Sequence, residues 1–213
     1  ALQNARFLMG FGVKVLVVAC NTASSLAMDE LFEWIKIPII GVIAPGARAA
    51  VQVTQNDKIG VIGTLGTINS GSYQHEIKLL NPKVETFAKS CPLFVPLAEE
   101  GLFDGEIVES VARFYLEEIL AKDIDTLVLG CTHYPLLRET IQKVAGENVK
   151  LIDSAKATVS ELKEFLIKDG LIRKSDESNY RLFVTDAPER FASVGAKFLD
   201  NKIINVEHLK IEL

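Results

Sequence analysis

Two cysteines, Cys20 and Cys131, stand at matching places in two similar stretches of the chain. Each thiol follows an apolar run and precedes polar residues that lead into a helical pattern, in VKVLVVACNTASS at residues 13–25 and in DTLVLGCTHYPLL at residues 125–137. In an open α/β sheet, ligands bind beyond the carboxyl ends of the strands, which is where both thiols are expected to lie. Because a helix N-terminus lowers the pKa of a thiol, we expect both cysteines to supply thiolate near neutral pH.

A pair of equivalent thiols suits a symmetrical proton transfer. One thiolate removes a proton from one face of a carbon while the other thiol delivers a proton to the opposite face, and the configuration inverts. The negative charge that develops on the carbon needs fixed hydrogen-bond donors. A cysteine hydrolase needs one thiol and a histidine base, so that chemistry leaves the second cysteine without a role. An inert buried thiol is the structural alternative, and it is the role expected for Cys91, which has no counterpart in the repeat.

The two cysteine stretches belong to a repeated βαβ pattern. Ile43 lies 23 residues after Cys20, and Ser154 lies 23 residues after Cys131, each at the expected end of the following strand. An internal repeat explains this spacing most simply. The sequence therefore predicts an α/β fold of two pseudo-symmetric parallel-sheet units with the active site between them.

The remaining elements follow from the periodicity of the apolar residues. Strands are predicted at residues 13–19, 39–43, 58–63, 84–88, 148–152 and 181–185. The segment 64–72, rich in glycine and hydroxyl groups, is predicted to be a turn whose N–H groups suit a carboxylate or phosphate. Two of the predicted apolar helix faces comprise Met28, Leu31, Phe32 and Ile35, and Val159, Leu162 and Leu166. Residues 1–44 plus 154–213 are predicted to form one domain, into which residues 45–153 are inserted as a second.

Composition narrows the class of protein. The 213 residues are 48% apolar and 24% charged, as in a folded globular protein, and the net charge of −5 argues against nucleic acid as a partner. Three cysteines without CxxC spacing fit neither a disulfide framework nor a metal site, and they indicate a reducing, cytoplasmic compartment. The apolar runs are too short to span a membrane.

The motifs around the cysteines resemble those of a known family. ACNTAS at residues 19–24 and GCTHYPLL at residues 130–137 are similar to the two cysteine signatures of the glutamate racemases, within the aspartate/glutamate racemase superfamily. IGVIAPGA, VIGTLGT, CPLFVPLAEEG and LIDSA extend the resemblance over the whole chain. The resemblance implies a cofactor-independent isomerase that interconverts L- and D-glutamate and supplies D-glutamate for peptidoglycan, the bacterial cell wall that maintains cell shape.

The same resemblance implies catalytic roles for particular residues. Cys20 would act on the α-proton of D-glutamate, and Cys131 on that of L-glutamate. His133 would tune the second thiol or serve as an auxiliary acid or base, with Glu99 as a carboxylate near it. From the residues alone, His133 could be a helix cap or a core histidine, but its place next to Cys131 favours a proton relay or an imidazolium partner. Glu99 and Glu100 would usually be a solvated acidic pair.

Substrate binding is implied for a second set of residues, which carry hydroxyl, amide or imidazole groups: Asn21, Thr22, Thr64, Thr67, Thr132 and His133. The threonines of residues 64–72 would hold the substrate carboxylates. From local sequence alone, Asn21 and Thr22 are equally plausible as helix caps, and Thr64 and Thr67 would more often be turn formers.

The chain departs from the family pattern at its beginning. The Asp-Ser-Gly and Pro-Tyr-Gly motifs expected upstream of Ala1 do not occur in this sequence, so a truncated chain is expected. Two alternatives therefore stand beside glutamate racemisation: another racemase of the superfamily, acting on aspartate, or an inactive fragment that only binds ligand. A small dicarboxylic amino acid is the expected partner, and a homodimer is left open.

Overall fold

Parallel strands alternating with helices make up this chain, and its α/β class is confirmed. The structure is a computed structural model that describes residues 1–173, 178–198 and 205–210. The chain divides into two compact units, Ala1–Phe165 and Leu166–Leu213. The predicted domain boundaries at residues 44 and 153 stay a prediction, and parts of the predicted C-terminal segment (174–177, 199–204 and 211–213) lie outside the described residues.

The elements of the first unit follow one another with short connections. In chain order they are α1 (Leu2–Met9), β1 (Leu16–Val18), α2 (Asn21–Leu26), α3 (Met28–Trp34), β2 (Ile39–Gly41), α4 (Ile43–Val53), β3 (Lys58–Gly63), α5 (Leu65–Ser70), α6 (Ser72–Leu80), β4 (Glu85–Ser90), α7 (Phe94–Glu100), α8 (Glu106–Leu120), β5 (Thr126–Gly130), a 3₁₀ helix (Tyr134–Leu137), α9 (Arg138–Ala145), β6 (Lys150–Asp153) and α10 (Ser154–Lys168), which continues into the second unit. The second unit adds β7 (Leu182–Val184), α11 (Pro188–Phe198) and β8 (Val206–His208), with β7 and β8 parallel.

A four-stranded parallel sheet in the order β4-β3-β5-β6 forms the centre of the first unit. Its two inner strands are buried almost throughout because helices cover both faces, as their β-branched and leucine-rich sequences require. The register places Gly63 at the end of β3 opposite Gly130 at the end of β5. Thr64 and Cys131, the next residues of the two strands, therefore emerge at the same edge of the sheet.

The first cysteine stretch belongs to a smaller sheet. Strands β1 and β2 pair in parallel, with Leu16 opposite Ile39 and Val18 opposite Gly41. Its core is formed by four buried side chains, Ala5, Leu16, Leu31 and Ile35. Strand β1 is shorter than the predicted residues 13–19, so Cys20 is separated from its end by one residue.

The repeat holds with a change in its details. The strand predicted at residues 39–43 ends at Gly41, because Ile43 is already the first residue of α4. Ser154 is likewise the first residue of α10. Pro45 fits the first turn of α4, where its missing N–H group leaves no hydrogen bond unmade. Ile43 and Ser154 therefore match each other as helix starts rather than as strand ends.

Other local predictions are corrected by side-chain and tertiary contacts. The segment 64–72 is two helices rather than an open turn, because the Thr64 side chain caps α5 and Gly71, with φ at +68°, allows the chain to turn into α6. The helix after Cys20 breaks at Ala27. Two residues predicted to face a core are exposed, Phe32 by 55% and Val159 by 64%. No helix in the described part of the chain is long and apolar enough to cross a membrane.

Candidate active site

Cys20 is placed at the start of a helix, as its sequence predicts. It is the N-cap residue of α2, with extended backbone angles (φ −82°, ψ 125°), and its carbonyl oxygen accepts the first helical hydrogen bond from the Ser24 N–H at 2.8 Å. The residue is exposed. Its thiol is therefore accessible to a small molecule.

Cys131 lies directly beyond the central strand β5 and is only 6% exposed. The strand ends are packed so tightly here that a Cβ at Gly130 would come within 2.7 Å of the Ile62 carbonyl oxygen. The α-helix predicted to follow Cys131 begins later, at Arg138, after the 3₁₀ helix. The N–H groups of His133 and Tyr134 nevertheless point towards the Cys131 sulfur.

Burial determines the acidity of the second thiol. Desolvation raises the pKa of Cys131 from 9.0 to about 11, although hydrogen bonds from the His133 and Tyr134 N–H groups and the Thr132 hydroxyl oppose that rise. The expectation of a lowered pKa at this thiol was wrong, because the loss of water outweighs the donors of the turn. Negative charge on Cys20 raises the pKa of Cys131 further, so the two sulfur atoms lie within electrostatic range of each other.

A histidine and a carboxylate extend the second cysteine site. The Nδ1 atom of His133 lies 3.9 Å from the Cys131 sulfur, and its Nε2 atom lies 3.4 Å from Oε1 of Glu99 at the end of α7. The three side chains form a row from carboxylate through imidazole to thiol. Such a row can stabilise an imidazolium beside a thiolate and pass a proton between them. The structure thus brings together the three residues that the family motifs suggested.

Three threonine hydroxyls form a cluster between α2 and α5. The oxygen of Thr22 lies 2.8 Å from that of Thr64 and 3.2 Å from that of Thr67, and the latter two are 3.1 Å apart. A Cβ at Gly66 would lie only 3.0 Å from the Thr22 methyl group, which shows how closely the two helices approach. Each hydroxyl can either donate or accept, so the cluster can reorient its protons towards an anionic ligand.

The remaining predicted binding residues have different surroundings. Asn21 is only 2% exposed; its side-chain oxygen accepts from the Tyr73 hydroxyl at 2.7 Å and its amide nitrogen donates to the Ser154 hydroxyl at 3.5 Å. Thr132 is exposed beside Cys131. Sequence reasoning missed Tyr73 because its contact with Asn21 spans 52 residues.

The third thiol is buried in the core, and one sizeable cleft is lined by neither of the paired cysteines. Cys91 is fully buried, and burial raises its pKa to about 12, in agreement with a packing role. A cleft of about 710 Å³ opens beside β2, α4 and α6, and neither Cys20 nor Cys131 lines it. The candidate active site is therefore identified by the pair of cysteines rather than by this cleft.

Known proteins resemble this chain over nearly its whole length. Residues 2–162 match the family described as Asp/Glu/Hydantoin racemase. The glutamate racemase of Geobacter metallireducens is 48% identical over all of this chain and 79% of its own length, and that of Chlorobaculum tepidum is 44% identical over 97% of this chain and 77% of its own.

Solved structures agree with the sequence matches. A glutamate racemase isoform from Bacillus anthracis superimposes with a TM-score of 0.94 at 38% identity, covering 99% of this chain and 80% of that one. The glutamate racemase of Francisella tularensis, solved in complex with D-glutamate, superimposes with a TM-score of 0.91 at 39% identity, covering 99% and 78%. The chain is thus similar to these enzymes in both sequence and fold.

Proposed function

The chain belongs to the Asp/Glu/Hydantoin racemase family, and we propose that it interconverts L- and D-glutamate by proton transfer between Cys20 and Cys131. Its activity is that of a glutamate racemase, which is an isomerase, as in the two relatives whose sequences it matches over 79% and 77% of their length. The observation that carries the two-thiol mechanism is that the two cysteine turns, which follow strands in separate sheets, meet at one side chain. The Tyr73 hydroxyl donates to Asn21, next to Cys20, at 2.7 Å, and a Cβ at Gly130, next to Cys131, would lie 3.2 Å from the Tyr73 ring.

The different settings of the thiols suit opposite roles with D-glutamate. The Cys20 thiolate removes the α-proton, so that the C–H bond breaks and an S–H bond forms. Cys131, whose pKa is raised to about 11, holds its proton at neutral pH and delivers it to the opposite face of the carbon. The electron pair left by the first proton forms the new C–H bond. L-Glutamate then stands beside a Cys131 thiolate and a Cys20 thiol, and the reverse reaction starts from that state.

The row formed by Glu99, His133 and Cys131 stabilises the state in which Cys131 is a thiolate. An imidazolium at His133, 3.9 Å from the sulfur, offsets the thiolate charge, and the Glu99 carboxylate at 3.4 Å offsets the imidazolium charge. This arrangement compensates for the desolvation that disfavours the Cys131 thiolate. His133 and Glu99 therefore act as auxiliary groups of the reaction that begins with L-glutamate.

The threonine cluster supplies donors for the substrate. Thr22, Thr64 and Thr67 satisfy one another without a ligand, and a carboxylate, which only accepts, replaces those mutual bonds when it enters. Asn21 and Thr132, each next to a cysteine, complete the proposed binding residues. The reaction needs no cofactor, because these donors stabilise the charge that develops on the substrate. The product D-glutamate, made in the cytoplasm, serves peptidoglycan synthesis.

Proton NMR in D2O tests the mechanism directly. We expect the α-proton signals of D- and L-glutamate to disappear with the parent chain, and aspartate to exchange far more slowly. Cys20→Ala and Cys131→Ala each remove one side of the transfer, and neither variant should convert one enantiomer into the other. Cys91→Ala is the matched control, because its thiol lies in the core. A folded parent chain that exchanges neither enantiomer contradicts the proposal, as does a single-cysteine variant that racemises at the parent rate.

A further inference from the structure

A buried tyrosine connects the two cysteine turns. Tyr73 on α6 has no exposed surface, and its hydroxyl donates to the side-chain oxygen of Asn21, the residue after Cys20, at 2.7 Å. Burial raises the pKa of Tyr73 above its usual range, so the hydroxyl keeps the proton that it donates. The tyrosine thus holds the first turn of α2 through the amide next to the first thiol.

The other edge of the same ring lies against the second cysteine turn. A Cβ at Gly130, the residue before Cys131, would be 3.2 Å from Cε2 of Tyr73. On the opposite edge, a Cβ at Gly46 would be 3.2 Å from Cε1 and 3.0 Å from the hydroxyl oxygen. The two glycines leave space for the ring on both sides. The ring therefore has little freedom to shift, and its hydroxyl is held at a fixed place.

The hydroxyl has a polar pocket of its own. Ser154, at the first residue of α10, accepts from the Asn21 amide at 3.5 Å, and its proximity to the Tyr73 hydroxyl partly opposes the rise in the Tyr73 pKa that burial causes. Asn21 is 2% exposed, so water cannot readily replace the bonds that its side chain makes with Tyr73 and Ser154. A buried polar group that loses its partner is costly, so the loss of the Tyr73 hydroxyl favours another conformation of Asn21.

We propose that Tyr73 is a positioning residue that fixes Asn21, and through it Cys20, relative to the Cys131 turn. Tyr73 acts without touching the substrate, and this role rests on the proposed two-thiol reaction. The effect is one-sided, because the hydroxyl is bonded to the first cysteine turn whereas the ring only packs against the second. Removing the hydroxyl should therefore slow proton transfer at Cys20 more than at Cys131.

Tyr73→Phe tests this role, because it keeps the ring and removes only the hydroxyl. The two enantiomers of a substrate have equal free energy, so kcat/KM must fall equally in both directions, by about tenfold for one lost hydrogen bond. The asymmetry is visible in the isotope effects of α-deuterated substrates. In Tyr73→Phe, transfer at Cys20 should limit the rate more strongly. The isotope effect measured with α-deuterated D-glutamate should therefore rise, and the isotope effect measured with α-deuterated L-glutamate should fall. A loss of folded enzyme would leave both isotope effects unchanged.

Two further variants make the test decisive. Tyr115→Phe is the matched control. The hydroxyl of this buried tyrosine accepts from the Leu93 N–H at 3.3 Å, and Leu93 belongs to neither cysteine turn, so the substitution should leave the rate and the isotope effects unchanged. Gly46→Ala crowds the Tyr73 hydroxyl without altering the tyrosine, and should shift the isotope effects in the same directions as Tyr73→Phe.

The outcomes separate this inference from the proposed function. If the parent chain is active and the isotope effects of Tyr73→Phe are unchanged, or change equally for both enantiomers, only the positioning role of Tyr73 is overturned. A folded parent chain without racemase activity overturns the proposed function and the inference with it. If Tyr73→Phe loses the near-ultraviolet circular dichroism of the parent, Gly46→Ala decides the question, and the same loss in both variants identifies Tyr73 as a packing residue and overturns the inference.

Discussion

The protonation of Cys131 can be measured by its reaction with an alkylating reagent as pH is raised. Only the thiolate reacts, and burial raises the pKa of Cys131 to about 11. At pH 8, an ordinary thiol with a pKa of 9.0 is about one-tenth ionised, whereas Cys131 is about one-thousandth ionised. Alkylation of Cys131 should therefore be about 100-fold slower than that of a cysteine in a short peptide, before any further loss because only 6% of the residue is exposed.

Iodoacetamide pulses between pH 7 and about 11, followed by mass spectrometry of the cysteine peptides, measure this difference. The alkylation rate at Cys131 should rise about tenfold for each pH unit through most of that range. Cys91, fully buried and with a pKa of about 12, is the internal reference and should stay unmodified in the folded protein.

Two substitutions separate the causes of the shifted pKa. Thr132→Val removes a hydroxyl that hydrogen-bonds the thiolate, so it should raise the pKa of Cys131 and slow alkylation. Cys20→Ser removes a like charge, so it should lower the pKa of Cys131 and speed alkylation. A Cys131 rate that levels off below pH 9 in the parent protein would refute the conclusion that desolvation dominates at this thiol.

Three further substitutions probe the site and the sheet that supports it. Glu99→Gln removes the charge 3.4 Å from His133 and should lower kcat about tenfold with a smaller change in KM. Glu100→Gln is its matched control, and an equal loss of kcat in the two variants would contradict the pairing of Glu99 with His133. Gly130→Ala places a Cβ 2.7 Å from a carbonyl oxygen of the adjacent strand and should lower the free energy of unfolding by about 1–3 kcal/mol, so an unchanged urea midpoint would show that the strands can separate. Partial burial opposes ionisation of Asp125, but four hydrogen bonds lower its pKa overall. The ionised Asp125 carboxylate therefore stabilises the protein above the pKa of the unfolded state, and this stabilisation is lost as pH falls through the pKa of the folded state. Asp125→Asn should lower the free energy of unfolding by about 1–3 kcal/mol at pH 7. In acid denaturation series, the loss should become progressively smaller below about pH 4. A penalty independent of pH would exclude the ionised carboxylate as its source.

Local patterns in the sequence were sufficient to identify most of the strands and the two thiols, although β8 (Val206–His208) was not among the predicted strands. The strand predicted at residues 58–63 matches β3 residue for residue, because a continuous apolar run bounded by polar residues has few alternatives in a doubly covered sheet. Helix boundaries were less predictable. Ile43 reads as strand from its side chain, but the helix that begins there is fixed by packing against the central sheet.

The sequence by itself determined the fold class, the family resemblance and which side chains carry the chemistry, because these depend on residue types and short spacings. Only the tertiary structure decided how those groups behave. It buried Cys131 and so raised its pKa to about 11, where a helix N-terminus alone suggested a lowered value. It also placed Tyr73 against Asn21, 52 positions away. Desolvation and long-range hydrogen bonds depend on how distant segments pack together, and neither is encoded in any one local pattern.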